Sequence, residues 1–177
     1  LALLAPLSLP VKESAPVYDD YRIGSDIYRR ILSWTTAVPH AIRHPEPVEQ
    51  EVFGPDEIPL EFPVRGGGLL ALRPDAFYNA SRDFQSMEED LPGMSRDYAR
   101  LAVPVRVLFG AEDRILNPEH QGELLVRRYP QIGLKMVQGG HMLPLTRIGD
   151  CAAFIRTAYE AMKDRKFISR ASPEVYR

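Results

Sequence analysis

Two short apolar runs, Val103–Phe109 and Leu134–Val137, are separated by a turn and one amphipathic stretch, Glu119–Tyr129, and a second amphipathic stretch, Gly149–Met162, follows them. Runs this short, bounded by turn residues, read as strands. Strands joined through a helix pair in parallel with a right-handed crossover. This β-α-β-α order commits the C-terminal part of the chain to an α/β fold built on a parallel sheet. A third run, Leu1–Leu7, is almost continuously apolar and is punctuated by Pro6 and Pro10. It suits a strand buried on both faces, an interior strand of the same sheet whose earlier partners are missing.

In open α/β sheets the groups that act on ligands sit in loops at the carboxyl ends of the strands. Here the loop after the first run reads Gly110-Ala111-Glu112-Asp113-Arg114, and the loop after the second reads Gly139-Gly140-His141. Adjacent parallel strands therefore carry an acid and a base to one edge of the sheet. A His can take a proton from a hydroxyl only in the right tautomer, and a carboxylate on its other ring nitrogen fixes that tautomer and stabilises the imidazolium. Gly139 and Gly140 permit a tight turn and leave room beside the ring. Glu112 is an alternative acid; the loop spacing favours Asp113.

The stretch from Val103-Pro104-Val105-Arg106-Val107-Leu108-Phe109-Gly110-Ala111-Glu112-Asp113 through Val137-Gln138-Gly139-Gly140-His141-Met142-Leu143-Pro144 resembles the closing third of the α/β-hydrolase fold. In that family the acid follows one of the last strands and the His the final one. The resemblance implies that Asp113 is the orienting acid and His141 the general base, with no metal and no organic cofactor. It divides the chain into a core strand at 1–10, a helical cap at 11–101, a C-terminal catalytic lobe at 102–163 and a polar tail at 164–177, expected to be poorly ordered. Trp34, Phe77, Tyr78 and Phe84 on helical stretches of the cap, and Met142 beside His141, are the expected lining of a pocket for a small apolar or amphipathic substrate.

The nucleophile of that family stands on a G-x-S-x-G elbow or a variant of it, and no G-x-S-x-G, G-x-C-x-G or G-x-D-x-G occurs here. Gly93-Met94-Ser95-Arg96-Asp97 is the nearest imitation, but Asp97 replaces the second Gly and no strand precedes it. The expectation is therefore a fragment: the cap and C-terminal lobe of a hydrolase acting on an ester or related acyl, C–C, epoxide or carbon–halogen bond. Its partner is the missing N-terminal half, and alone it is inactive. The alternative is a non-catalytic α/β module or subunit that completes or binds another chain.

Composition narrows the partners. With 22 basic and 24 acidic residues well mixed, a net charge of −2 leaves no electrostatic footprint for nucleic acid or an anionic membrane. No basic region precedes the first apolar residues, which argues against a signal peptide or membrane span and for a cytoplasmic protein. The single cysteine, Cys151, lies in a helical apolar pattern and reads as a small buried hydrophobe.

Within the cap, Ile27, Tyr28, Ile31, Leu32 and Trp34 recur at helical spacing from Ser25 to Val38, where Pro39 is expected to stop them. His40–Gly68, rich in Pro and Gly, reads as irregular. Phe77, Ala80, Phe84, Met87 and Leu91 mark an amphipathic helix begun near Pro74 and ended by Pro92, with Glu88, Glu89 and Asp90 towards water. His40 and His44, bracketed by prolines, read as a solvated turn rather than a metal site. Gly66-Gly67-Gly68 reads as a hinge, and Asn79-Ala80-Ser81 as a helical segment rather than a glycosylation acceptor.

Overall fold

The computed structural model describes residues 1–11 and 16–163. The polar tail at 164–177 therefore lies outside the described residues. Three parallel strands form the sheet in the order β1 (Ala2–Leu4), β2 (Val105–Gly110), β3 (Ile132–Val137). Leu3 pairs with Val107, and Val107 with Leu134, so all three carboxyl ends fall at the same edge.

Both faces of this sheet are covered, and every residue of β2 except the exposed Arg106 is buried. Val105, Val107 and Phe109 point to one face and pack with Leu9, Leu125, Tyr129 and Ile132. Leu108 points to the other and packs with Leu143, Cys151 and Phe154. The alternation follows from the two-residue period of a strand, and the helix that joins β2 to β3 covers one face while the helix after β3 covers the other. The first helix of the lobe begins as a π-turn at Glu119–Glu123 and continues as an α-helix at Leu124–Arg128; the last runs from Ile148 to Lys163.

β1 is shorter than the apolar run that encodes it and sits at one edge of the three described strands. Ala5 ends it with φ of +40°, a conformation in which a side chain is strained. Beyond it, Ser8 and Leu9 are buried and held by Gln121, whose amide oxygen accepts from both main-chain N–H groups at 2.9 and 2.8 Å and whose amide nitrogen donates to the Leu9 carbonyl at 2.9 Å.

Between β1 and β2 the chain forms a helical insertion. Ser25 caps α1 (Asp26–Leu32), which passes through a π-turn at Ser33–Ala37 into α2 (Val38–Arg43). Pro39 thus does not stop the helix. The wider turn before it displaces the usual pairing four residues back, which is where a proline ring collides. The expected irregular stretch after His40 also contains α3 (Glu46–Phe53), with a proline and two acids in its first turn and a fully buried Phe53 at its end, followed by α4 (Gly68–Ala71).

The 24-residue α5 (Pro74–Asp97) spans the insertion and continues through Pro92. One lost N–H does not break it because Leu91 and Ser95, on either side of the proline, are buried and Tyr129 donates its hydroxyl to the Ser95 carbonyl. Buried Arg29 ties α1 to α5 through Ser81 and Gln85, each at 2.9 Å.

Candidate active site

Asp113 and His141 meet at the carboxyl edge of the sheet. Gly110, the last residue of β2, lies so close to the next loop that a Cβ there would stand 2.3 Å from the carbonyl oxygens of both Gly139 and Gly140. Glycine at this point is what lets the two loops touch. They are also laced together: Glu112 N–H donates to the Gly139 carbonyl at 3.1 Å, and Gly139 N–H to the Glu112 carboxylate at 2.8 Å. Gly139 has φ of +124°, which a side chain rarely adopts.

Within this frame His141 Nδ1 lies 2.8 Å from Asp113 Oδ2. The other carboxylate oxygen, Oδ1, accepts the main-chain N–H groups of Ile115 and Leu116 at 2.9 and 2.8 Å. The Asp113 side chain is 0% exposed and that of His141 22%, so the carboxylate is locked inside while the ring reaches the surface of a cavity. With the carboxylate ionised, Nδ1 carries the proton and donates it, which leaves Nε2 with a lone pair. Glu112, occupied with Gly139, is not the partner of the ring.

That cavity has a volume of about 490 Å³. Its floor is His141 with Ile115 and Leu116 from the acid loop and Ala5 and Leu7 from the segment after β1. Its opposite wall is one face of α5: Ala80, Asp83, Phe84, Met87 and Glu88, spaced three and four apart. The wall mixes the apolar Ala80, Phe84 and Met87 with the carboxylates of Asp83 and Glu88, and Arg22 pairs with Glu88 at 2.8 Å and lies 5.7 Å from the centre of the Phe84 ring.

Of the aromatic and Met side chains expected around the substrate, the structure brings Phe84 to this cavity and leaves four elsewhere. Trp34, in the π-turn, is 65% exposed. Phe77, two turns before Phe84, is buried beside Tyr21 and lines a separate cavity of about 450 Å³ with His40 and His44. Those two rings, exposed as expected, stand 4.9 Å apart on α2 and its C-cap rather than in a turn. Tyr78 lies under the guanidinium groups of Arg29 and Arg30. Met142 caps the short helix Leu143–Thr146, where its carbonyl accepts the N–H groups of Leu145 and Thr146. Ser95 is buried inside α5 with its hydroxyl on the Pro92 carbonyl at 3.3 Å.

Met87, on the same apolar period of α5 as Phe84, lines the cavity too. One contributor escaped the sequence reading. Asp56 carried no signal at all, yet it reaches the His141 loop from the insertion, accepting the Gly140 N–H at 2.9 Å. Among the described residues no cluster of His, Cys, Asp and Glu is placed to hold a metal ion, and no helix is long and apolar enough to cross a membrane.

No family model matches the chain, and no curated protein matches it in sequence. Solved structures do. An alpha/beta hydrolase fold protein from Burkholderia ambifaria superposes with a TM-score of 0.55 at 21% identity, over 88% of this chain and 56% of that one. The 2-hydroxy-6-oxo-6-phenylhexa-2,4-dienoate hydrolase (BphD) of Rhodococcus sp. strain RHA1 superposes with a TM-score of 0.50 at 16% identity, over 90% of this chain and 54% of that one. The chain therefore has the α/β-hydrolase fold, and it spans little more than half the length of these two proteins.

Proposed function

We propose that this chain supplies the orienting acid, Asp113, and the general base, His141, of a nucleophile–His–Asp triad in a hydrolase. The nucleophile stands on a segment outside this chain. The observation that carries this reading is the 2.8 Å contact between His141 Nδ1 and a carboxylate whose other oxygen is held by two main-chain N–H groups, with the ring facing a cavity of about 490 Å³.

In this reading Nε2 takes the proton of a Ser hydroxyl as it attacks the substrate, and Asp113 stabilises the imidazolium so formed. His141 then returns the proton to the leaving group and activates a water to clear the acyl-enzyme. If the nucleophile is a carboxylate, His141 instead activates water against an alkyl-enzyme ester. The helical insertion acts as the cap, with Phe84 and Met87 binding a small apolar or amphipathic substrate whose scissile bond is an ester or related acyl, C–C, epoxide or carbon–halogen bond.

The test is His141→Ala in the complete protein. We expect kcat to fall by a factor of about 10⁴ or more while the fold survives. A folded variant that turns over at the wild-type rate refutes the assignment.

A further inference from the structure

His141 stands in a loop of no regular structure, and its position decides whether Nδ1 meets Asp113. Two side chains hold that loop. Glu112 takes the Gly139 N–H from the neighbouring acid loop, and Asp56 takes three donors from the opposite side. Asp56 Oδ2 accepts the Gly140 N–H at 2.9 Å and the Thr146 hydroxyl at 3.0 Å, and its Oδ1 accepts the Arg147 guanidinium at 3.0 Å. One carboxylate therefore grips the segment immediately before His141 and again one short helix after it.

The contact is tight as well as polar. A Cβ on Gly140 would lie 2.3 Å from the Gly54 carbonyl, and one on Gly139 2.9 Å from Asp56 itself. The Asp56 side chain is only 10% exposed, so water cannot readily replace it as the acceptor for Gly140. Burial alone would push the Asp56 carboxyl up; the Gly140 N–H, the Thr146 hydroxyl and Arg147 outweigh it and hold the group below the usual carboxylate range. Arg147, unlike Asp56, is not fully satisfied, since its buried Nε has no partner among the described residues.

We propose that Asp56 is a positioning residue for His141, holding the loop that carries the base from the helical insertion through Gly140, Thr146 and Arg147. This rests on the assignment of His141 as general base. Because Asp56 touches neither the ring nor the cavity, its loss acts on the rate of the chemical step and not on substrate binding. A displacement of the base by about an ångström costs on the order of 100-fold in rate.

The experiment measures kcat and KM in the complete protein for Asp56→Ala, Asp56→Asn and Thr146→Val, with His141→Ala as the reference. Asp56→Ala should lower kcat about 100-fold with KM essentially unchanged. Asp56→Asn, which retains an oxygen for the Gly140 N–H, should recover about a tenth of the wild-type kcat, roughly one factor of ten in rate below it. A wild-type kcat in folded Asp56→Ala beside an inactive His141→Ala overturns the positioning role and leaves the triad standing. Full activity in His141→Ala removes the triad and this inference together. Should Asp56→Ala fail to fold, wild-type kcat in both Asp56→Asn and Thr146→Val overturns the proposal.

Discussion

Replacing Asp113 separates what the carboxylate does for the fold from what it does for His141. Its Oδ1 holds the N–H groups of Ile115 and Leu116, its Oδ2 faces His141, and the side chain is fully enclosed. In Asp113→Ala both main-chain donors lose their acceptor in a place water does not reach easily. At about 1–3 kcal/mol for each unpaired donor, the variant should lose roughly 2–6 kcal/mol. In Asp113→Asn the amide oxygen can keep both N–H groups, so the loss should be about 1 kcal/mol. Catalysis should respond differently. The Asn amide NH₂ then faces Nδ1, which must accept, and the ring proton moves to Nε2, where the base is needed. That tautomer costs a factor of about 10⁴ in kcat, or about 5.4 kcal/mol of barrier at 1.36 kcal/mol per factor of ten. Urea unfolding followed by the single tryptophan, Trp34, gives the stabilities, and steady-state turnover of the complete protein gives the rates. An Asn variant as unstable as the Ala variant would refute the account of the Oδ1 bonds. An Asn variant keeping more than a tenth of wild-type kcat would refute the tautomer argument.

Three other outcomes follow from the same contacts. Gln121→Leu should cost about 3–5 kcal/mol in denaturant unfolding, because it strands the buried N–H groups of Ser8 and Leu9 and the Leu9 carbonyl; a change below 1 kcal/mol would contradict this. Gly140→Ala places a Cβ 2.3 Å from the Gly54 carbonyl and 3.0 Å from that of Phe53, both backbone, so amide hydrogen exchange should accelerate in segments 53–56 and 138–147 together; unchanged exchange in both would mean the close approach is not maintained in solution. The Asp56 carboxyl is lowered from its ordinary value of 3.8, so its contribution to stability is complete above that pH and disappears as pH falls through the lower folded value. The urea midpoint should therefore drop more steeply below about pH 4 in the wild type than in Asp56→Asn; parallel curves would argue against the Asp56 contacts.

The sites that sequence reasoning reached are those whose signal is local. A strand followed by a Gly-led loop places Asp113 and His141 at the same sheet edge whatever the rest of the chain does, because parallel pairing through a helix aligns the carboxyl ends. The amphipathic period of α5 was visible for the same reason, since it is a property of neighbouring residues on one helix. Its rotation was not: that period names Phe77 and Phe84 alike, and only the docking of α5 over the sheet puts Phe84 beside His141 and Phe77 in a different cavity.

Pro39 and Pro92 mislead in the same way. Each ends a helix judged on local hydrogen bonding, but a π-turn before one and buried neighbours around the other carry the helix onwards. Asp56 marks the far limit of local reasoning. It stands 84 positions before the Gly140 N–H it accepts, in a stretch with no period of its own. By itself the sequence determined a parallel α/β lobe with an acid and a base on adjacent strand ends, because short-range periodicity and turn chemistry are written in neighbouring residues. Only the tertiary structure decided which residues of the helical insertion lie beside His141 and which carboxylate accepts from its loop, because those depend on how a helical insertion settles on a sheet, and no run of neighbouring residues encodes that.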